Sequence, residues 1–496
     1  MPTSPGVGAL QSQSMLVILA ELSLSVVCYV LFIQLRSPLH KIKGPWLTSI
    51  SSAPLFIAAL QGKKAMWIRN LHAQYGPLIR IAPNKVCVSA EEGVKLIYNN
   101  KTSKSHAYDA FRFRDVKMCI GLLSVKEAHP RRKSLLPAFS RTNLVEMEPV
   151  IRSHLEHFLE WLSRFDRDGK PVDAFKWFRY LTFDVITDIA FGQQIGMLKT
   201  EDTHFITQIE MRNKRNGLIG AFPFLKPIMK IVTPKMAAAW FGADEEIAKY
   251  AIRAREMWSK AGPENRNRVD ILSRIEEDGQ KNPDAALSAQ EIIAEMMEIL
   301  NAGSDTTANT AMFTTWELSR HAEIQEKLHQ ELTDAFPDPT EPLTLERLEK
   351  LPFLDGVCRE GLRLHAPIPA YLERVAGEGG LTIAGSHIQE GTIVGMQAYT
   401  NHRNESVYPE PESFVPERWF EPTAAMKTNF LPFSAGPRAC IGLNLANMQL
   451  RIHLGHIFRR YLVTPAPWTT PDSMSHVEFF VIRPKSGRCD LYFHKY

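Results

Sequence analysis

The stretch Phe433 to Gly442 reads FSAGPRACIG and places one cysteine directly before a predicted helix. That helix is predicted because apolar residues recur every three or four positions in LNLANMQLRIHLGHIF, residues 443–458. The free N–H groups and the positive dipole end of a helix N-terminus favour a thiolate, so Cys440 is a candidate metal ligand. Gly436 and Gly442 flank it, as a backbone that passes close to a flat group would require. The alternative is a buried cysteine that packs as a small hydrophobic residue.

The same ten residues fit the pattern Phe-x-x-Gly-x-Arg-x-Cys-x-Gly, which resembles the haem-binding loop of the cytochrome P-450 family. The resemblance implies haem b as the cofactor, with Cys440 as the axial ligand of its iron. It implies that Phe433, Gly436, Arg438 and Gly442 shape the loop around this ligand. It further implies O2 and NADPH-derived electrons as co-substrates.

The stretch AGSDTT, residues 302–307, lies inside a long predicted helix although most of its residues are poor helix formers. Ser288 and Glu291 have the spacing of a capping box and predict where this helix begins, and the apolar periodicity continues to His321. Hydroxyl groups in the middle of a helix compete for its carbonyl oxygens, so a tolerated kink is one interpretation. The other is that these residues take part in chemistry.

This stretch resembles the oxygen-activating segment of the distal helix in the cytochrome P-450 family. The resemblance implies that Ala302 and Gly303 leave room for O2 against the haem face. It also implies that Asp305 and Thr306 are the acid and the alcohol that relay protons there. Asp305 and Thr306 are therefore the candidate catalytic residues.

Glu360 and Arg363 occupy positions i and i+3 of a predicted helix with the sequence EGLR, so both lie on one face. Such a pair is common on helix surfaces, where it contributes about 0–1 kcal/mol. Downstream, PERW supplies Arg418, and the order Glu-x-x-Arg, Pro-Glu-Arg-Trp, cysteine loop is that of the same family. The resemblance implies a buried structural triad of these three charges that steadies the cysteine loop.

A haem would also bring two carboxylates, which need cations when they are buried. Arg438, in the cysteine loop, is the first candidate. The family usually adds a Trp or His with a basic residue four positions later, and His129 with Lys133 matches this, with Arg132 as an alternative register. The proline that follows His129 departs from the usual pattern. Arg374 resembles a further carboxylate contact of the family, or is a strand arginine that faces solvent.

The composition predicts an ordinary globular chain. Its 496 residues are 45% hydrophobic, its six cysteines lack C-x-x-C spacing, and its formal charge of +4 is not concentrated in one basic block. Zinc sites, disulfide frameworks and nucleic-acid binding therefore have no support. Mainly helical patterns fill residues 90–349, so we expect a fold that is mostly α with a small β part (α+β), the cytochrome P-450 fold. The predicted strand segments are 78–83, 85–90, 382–388, 392–399 and 477–484.

The N-terminal part contains an apolar run, residues 15–33, with Glu21 as its one charge, and this length suits a bilayer core. A cleaved signal peptide would need basic leading residues, which residues 1–14 lack, and a buried amphipathic hairpin is the other alternative. We expect a short luminal N-terminus at 1–14, a transmembrane anchor at 15–33, a basic and proline hinge at 34–46, and a single cytosolic haem-thiolate catalytic domain at 47–496. The basic residues that favour this orientation are Arg36, His40, Lys41 and Lys43.

Together the ordered motifs make the chain similar to the membrane-anchored haem-thiolate monooxygenases of filamentous fungi, which often serve secondary metabolite biosynthesis. The resemblance implies insertion of one oxygen atom from O2 into a lipophilic small molecule, by hydroxylation or epoxidation, at the endoplasmic reticulum membrane. It implies electrons from NADPH through a separate flavoprotein, NADPH-cytochrome reductase. A haem-thiolate isomerase or dehydratase and a non-catalytic haem-binding sensor are the alternatives.

Substrate contacts in that family come from four segments: residues 107–122, the residues before Gly303, residues 366–371 and residues 477–480. Their apolar and aromatic side chains predict a lipophilic substrate. A further apolar and aromatic segment, residues 217–242, carries interspersed lysines and predicts a surface that faces the membrane. An ordinary buried pair of helices is the alternative for this last segment.

Overall fold

A computed structural model describes residues 37–260 and 269–496, with scattered positions between 17 and 36. Helices dominate this part of the chain, and the predicted class, mostly α with a small β part, is confirmed. The helices are α1 Ala53–Leu60, α2 Lys64–Tyr75, α3 Glu92–Ile97, α4 Val125–Leu135, α5 Arg141–Val145, α6 Glu148–Arg167, α7 Ala174–Phe191, α8 Met197–Thr200, α9 His204–Ala221, α10 Leu225–Val232, α11 Pro234–Lys260, α12 Ile271–Lys281, α13 Ala289–Arg320, α14 Ala322–Ala335, α15 Leu345–Leu348, α16 Pro352–Leu364, α17 Ala398–Asn401, α18 Ala424–Asn429 and α19 Leu443–Arg460.

The strands are short and form small sheets. They are β1 Leu78–Ala82, β2 Lys85–Val88, β3 Ser103–Lys104, β4 Arg112–Phe113, β5 Val116–Lys117, β6 Val172–Asp173, β7 Tyr371–Val375, β8 Leu381–Ile383, β9 Ser386–Ile388, β10 Ile393–Gln397, β11 Tyr461–Pro465, β12 His476–Glu478, β13 Ile482–Pro484 and β14 Asp490–Lys495. The largest sheet has the order β1-β2-β10-β7-β3, in which β10 runs parallel to β2, and a three-stranded sheet has the order β11-β14-β6. Each predicted strand segment contains at least one of these strands.

The helix α13 crosses the main hydrophobic core and is buried on nearly all sides, as expected for a helix inside a large domain. It begins at the predicted capping box, in which Ser288 and Glu291 bond reciprocally, and it packs most extensively against α7. The stretch AGSDTT does not break the helix, which is continuous from Ala289 to Arg320. Its threonine hydroxyls donate to carbonyl oxygens four residues earlier without breaking it.

The predicted hinge is partly integrated into the domain. Leu39 is 1% exposed, and the backbone N–H of Arg80, in β1, donates to the carbonyl oxygen of Lys43. Arg80 also donates from its guanidinium to Ser37 Oγ at 2.8 Å. From Ser37 onward the segment therefore packs on the sheet through Leu39 and Ile42, which are buried, whereas Trp46 is exposed.

Most of the predicted anchor, residues 15–33, lies outside the described residues. Within the part that the structure does describe, we find no helix with both the length and the apolar content needed to cross a membrane.

Candidate active site

The distal helix α13 has an accessible stripe in the middle of its buried length. Ala302 is exposed and Gly303 and Thr306 are half-buried, whereas their neighbours Ser304 and Asp305 are buried. Residues i, i+1 and i+4 share one face of a helix, so the stripe is continuous. An accessible stripe in a helix that the core otherwise covers is a place where a cofactor or ligand can lie, and we call the space beside it the distal cavity.

The hydroxyl of Thr306 lies on this stripe. Its Oγ1 donates to the carbonyl oxygen of Ala302 at 2.6 Å. A hydroxyl has two further lone pairs that can accept, so Thr306 keeps the capacity to bind a water or a ligand hydrogen from the cavity side.

Asp305 points away from the stripe. Its Oδ1 accepts from Nε of Arg179, in α7, at 2.9 Å, and the Nη1 of Arg179 lies 2.8 Å from Glu210 in α9. Burial lowers the pKa of Arg179, but the two carboxylates outweigh this and raise it. The structure thus places Asp305 in a buried ion pair, next to Thr306 in sequence but on another face of the helix.

Gly303 has a packing role that the sequence prediction did not include. A Cβ at this position would lie 2.6 Å from Cδ1 of Ile186, on α7. The glycine therefore permits the close approach of α13 and α7, and Ala302 is the small side chain that faces the distal cavity.

The cysteine loop, Phe433–Gly442, is closed by its own backbone. The N–H of Cys440 donates to the carbonyl oxygen of Phe433 at 2.9 Å. Gly436 has φ +70°, and a Cβ there would lie 1.9 Å from the carbonyl oxygen of Tyr98, so only glycine fits. Beside Gly442, by contrast, the nearest atom to such a Cβ is the Cys440 sulfur at 3.9 Å, which leaves room for a flat group next to the thiol.

Cys440 is solvent-accessible, yet it lies deep in the protein. Burial raises the pKa of its thiol, and the hydrogen bond from Gly442 and the charge of Arg132 lower it only in part. The helix α19 begins at Leu443, with Gly442 as its N-cap. Cys440 therefore lies before the N-cap and outside the first turn of the helix. For the thiol without a bound cation, desolvation therefore has a larger effect on the pKa than the nearby helix terminus. A bound cation such as haem iron would deprotonate this sulfur.

Several buried cations cluster next to the cysteine loop. The guanidinium of Arg438 donates to the carbonyl oxygens of Cys119 and Ser124, at 2.8 and 3.3 Å, and Arg374 donates to the carbonyl oxygen of Glu373. Burial, together with the charges of Arg438, Arg374 and Arg132, holds the pKa of Lys104 well below its usual range.

The cations of this cluster destabilise one another, because like charges that are removed from water repel. Two carboxylates placed between them would remove that cost, so the cluster fits the acidic groups of a haem. Its members are Lys104, Arg132, Arg374 and Arg438.

The two alternative sets of cationic residues predicted on α4 differ in their burial. Arg132 is half-buried and belongs to the cation cluster, whereas His129 and Lys133 are exposed. The proline inside α4 does not interrupt it, since the helix runs from Val125 to Leu135. The geometry thus favours Arg132, the alternative register, for contact with an acidic group.

Glu360, Arg363 and Arg418 are in direct contact. Glu360 and Arg363 are fully buried and form a two-bonded pair at 2.7 and 2.8 Å, and Nε of Arg418 donates to Glu360 at 3.0 Å. The indole N–H of Trp419, the last residue of PERW, donates to the other oxygen of Glu360 at 2.9 Å. All lone pairs of a buried carboxylate are thereby used, as a stable buried charge requires.

His402 connects this triad to the cysteine loop, and sequence reasoning did not identify it. Nη1 of Arg363 donates to the His402 carbonyl oxygen at 2.8 Å, and the ring nitrogen Nε2 accepts from the N–H of Leu431 at 2.8 Å. Burial lowers the pKa of His402 to about 3, so the ring is neutral and its acceptor nitrogen is free for Leu431. No motif signals this histidine, because its partners come from distant segments.

Lys104 and Tyr108 were also missed. Lys104 donates to the carbonyl oxygen of Ile120 at 2.9 Å, and its ammonium lies 4.3 Å from the centre of the Tyr108 ring. A single lysine in TSKSHAY carries no pattern that could have marked it.

The predicted substrate segments meet in space. The rings of Phe111 and Phe480 are 5.6 Å apart, which joins residues 107–122 to the hairpin β12–β13. The N–H of Ile482 donates to the carbonyl oxygen of Pro367 at 3.0 Å, which joins the same hairpin to residues 366–371. Phe480 has φ 98°, an uncommon conformation for this residue, and the packing of its ring holds it there.

Comparisons with known proteins agree with this geometry. The cytochrome P-450 family model matches residues 48–490. Benzoate 4-monooxygenase of Aspergillus niger is 33% identical over 474 residues, which cover 89% of this chain and 90% of that protein. A cytochrome P-450 monooxygenase of Pyricularia oryzae is 30% identical, with 88% and 87% covered, and averantin hydroxylase of Dothistroma septosporum is 29% identical, with 94% and 88% covered. With a cysteine loop, a cation cluster and a distal cavity in one domain, the chain belongs to the cytochrome P-450 family and is a haem-dependent monooxygenase.

Proposed function

We propose that this monooxygenase uses O2 to hydroxylate a lipophilic small molecule, with electrons from NADPH delivered by a separate flavoprotein reductase. The observation that carries the proposal is the accessible stripe of Ala302 and Thr306 in a helix that is otherwise buried. An isomerase or a sensor would have no use for an accessible alcohol at that place. The names of two relatives, a benzoate 4-monooxygenase and an averantin hydroxylase, support hydroxylation over epoxidation.

The residues around the thiol fit a haem. Cys440 would hold its iron, and Arg438, Arg374, Arg132 and Lys104 would hold its carboxylates, since these four cations share one buried region. When bound, the haem supplies the activation of O2, which no side chain can perform.

The distal helix would supply protons. Thr306 can hold a water in the cavity through the lone pairs that its bond to Ala302 leaves free. Asp305 pairs with Arg179, which also pairs with Glu210, and since the Glu210 side chain is 31% exposed, this ion pair extends from the distal helix toward solvent. General acid–base help of this kind is worth about 10²–10⁴-fold.

The substrate would lie under the aromatic residues where the predicted segments meet. Phe111 and Phe480 offer apolar surface above the distal helix, and the neighbouring Ile120 is half-buried. Such a lining favours lipophilic compounds, since burial of apolar surface is its main source of affinity.

The reductase would dock beside the cysteine loop. A surface cavity of about 590 Å³ lies there, lined by Phe433, Ser434 and Leu443 together with arginines at its rim. A flavoprotein that presents carboxylates could share these arginines with Glu349 and Asp355, which pair with them within this chain, and bring its flavin near the thiolate ligand. The arginines are Arg141, Arg359 and Arg451.

We propose an endoplasmic reticulum location, with the anchor at 15–33 and a second membrane contact at α10. Ile231 and Val232 are 81% and 71% exposed, an unusual exposure for two adjacent apolar residues. Phe224, beside α10, packs on Phe56 of α1, so the two helices share one apolar surface near the N-terminus. Interspersed lysines suit anionic headgroups.

A vesicle flotation experiment tests this second contact. A variant without residues 1–36 should still float in part with vesicles of phosphatidylcholine and phosphatidylserine, and the further changes Ile231→Asp and Val232→Asp should abolish flotation. A truncated protein that stays wholly in the soluble fraction before these changes would contradict the contact.

The reaction itself is tested by reconstitution with a lipophilic compound library. A compound that shifts the Soret band is incubated with O2, NADPH and a fungal reductase, and the product is analysed by mass. We expect a mass increase of one oxygen that requires NADPH, the reductase and O2. A product that forms without them indicates an isomerase or dehydratase, and binding without any product indicates a sensor.

A further inference from the structure

The peptide group of Cys119 is bonded at both ends to charged side chains, one from the distal helix and one from the cysteine loop. Its N–H donates to Oε1 of Glu295, on α13, at 2.8 Å. Its carbonyl oxygen accepts from Nη2 of Arg438, in the cysteine loop, at 2.8 Å. The loop Met118–Ser124, which we call the bridging loop, therefore connects the distal helix to the cysteine loop.

On the side of the cation cluster the bridging loop has several supports. The ammonium of Lys104 donates to the carbonyl oxygen of Ile120, and the backbone N–H of Lys104 donates to that of Leu123, both at 2.9 Å. A Cβ on Gly121 would lie 2.3 Å from the carbonyl oxygen of Phe111, so the loop is also tightly packed there. Several independent contacts thus hold this side.

On the side of the distal helix, Glu295 makes the backbone contact. Its side chain is 3% exposed, and Nη1 of Arg131 donates to the same Oε1 at 2.7 Å. One turn later, Glu298 bonds Arg212, whose Nη2 lies 3.0 Å from the sulfur of Met118. Glu295 precedes Ala302 by seven residues, about 10 Å along the helix, so it acts at one end of the accessible stripe.

We propose that Glu295 is a positioning residue for the monooxygenase reaction: by holding the Cys119 N–H against the distal helix, it sets the position of the bridging loop and thereby the size of ligand that the distal cavity accepts. The inference depends on the proposed function in one respect, namely that the substrate binds in the distal cavity. Glu295 does not touch the reacting atoms. It acts through the loop.

Two contacts make this assignment specific to Glu295. Arg131 also pairs with Glu291, one turn earlier on the same helix, so removal of Glu291 leaves the Cys119 bond intact. Removal of Glu295 leaves the N–H of Cys119 without its acceptor and Arg131 with one carboxylate. The two glutamates thus share Arg131 but differ in their backbone contacts: Glu295 accepts from the Cys119 N–H, whereas Glu291 caps the start of α13 at Ser288.

Hydrogen exchange in the haem-loaded, full-length protein measures the loop contact directly. At a pH above about 7, where Glu295 is ionised, we expect Glu295→Ala to speed exchange of the Cys119 amide by about tenfold or more, because a hydrogen bond to a charged acceptor is lost. Glu295→Gln should speed it by a smaller factor, since a neutral acceptor remains. Glu291→Ala should leave it unchanged. Wild-type exchange in either Glu295 variant overturns the proposal.

Ligand size provides the second measurement. Imidazole and 4-phenylimidazole bind haem iron through nitrogen and shift the Soret band, so the same spectrum reports a small and a bulky ligand. We expect Glu295→Ala to change the ratio of the two dissociation constants by about tenfold. The dissociation constant for imidazole should stay the same. In Glu291→Ala the ratio should equal that of the wild type. Equal changes for both ligands would overturn the proposal.

Neither measurement uses NADPH, a reductase or turnover. A failure of the proposed hydroxylation therefore leaves the test of Glu295 intact. A protein that takes up no haem would instead contradict the monooxygenase assignment itself.

Discussion

The cysteine loop and the distal helix both belong to the candidate active site, but their polar groups are held in different ways. In the cysteine loop, the N–H of Cys440 bonds within the loop, and the triad around Glu360 supports it through His402 and Leu431. On the distal helix, Thr306 bonds only a carbonyl oxygen of its own helix. The loop is fixed by buried charges without alternative partners, whereas the helix keeps groups that can exchange partners.

This difference separates the two kinds of function. A metal ligand must stay in one place, so its surroundings are fully bonded and rigid. A group that moves protons must give up one partner for another, so it lies where water and ligand can reach it. Substitutions near the cysteine should therefore affect haem binding and stability, and those on the distal helix should affect the chemistry.

The largest effect is expected for Cys440→Ser. A serine hydroxyl does not provide a thiolate, so the long-wavelength Soret band of the reduced carbon-monoxide adduct should disappear completely. Absorbance spectra of the reduced protein with carbon monoxide measure this, and Cys119→Ser serves as a control that keeps the band. Persistence of the band in Cys440→Ser would show that another residue binds the iron.

The next effect is expected for Glu360→Gln. Loss of this carboxylate leaves Arg363 buried without its counter-charge, which costs about 3–5 kcal/mol of unfolding free energy. Denaturant unfolding measures the change. Glu346→Gln, which breaks an exposed pair with Lys350 on α15, is the matched control and should have no measurable effect. Similar stabilities of the two variants would mean that the triad does not stabilise the fold.

For Thr306→Ala the effect should be on the yield of product per NADPH. We expect this yield to fall sharply, since general acid–base help is worth about 10²–10⁴-fold, while haem content and substrate-induced spectral shifts persist and hydrogen peroxide accumulates. Thr306→Ser should restore coupling. Thr307→Ala, rotated by about 100° on the helix, should change it much less. If Thr306→Ala forms as much product per NADPH as the wild type, the hydroxyl serves only to bond the Ala302 carbonyl oxygen.

The smallest effect is expected from pH. Burial raises the pKa of Glu295 from 4.5 to about 7, against the lowering effects of Arg131 and the Cys119 N–H, with Glu298 adding to the rise. A raised pKa means that the native state binds the proton more tightly, so the stability it contributes is full below pH 4.5 and is lost as pH rises through about 7.

Comparison of the wild type with Glu295→Gln isolates this contribution. The wild type should lose up to about 1.4 kcal/mol of unfolding free energy per pH unit in this window relative to the glutamine variant. Glu291, which also faces Arg131, is retained in both proteins. Parallel stability curves for the two proteins would show that Glu295 titrates near its ordinary pKa.

The sequence by itself determined the elements that depend on local pattern. The capping box at Ser288, the apolar periodicity of α13 and α19, and the alternating strands follow from neighbours within a few residues. The cysteine loop and the Glu-x-x-Arg pair were found because their residues are fixed in spacing. Tertiary contact was not needed to name Cys440, Thr306 or Glu360.

Only the tertiary structure decided how these parts are supported. Lys104, His402 and Glu295 act through carbonyl or amide groups that are far away in sequence, so no spacing identifies them. The raised pKa of Cys440 likewise depends on burial, which the helix terminus alone does not predict. Local pattern fixes what lies within a few residues, whereas desolvation and long-range hydrogen bonds exist only once the chain has closed around its cavity.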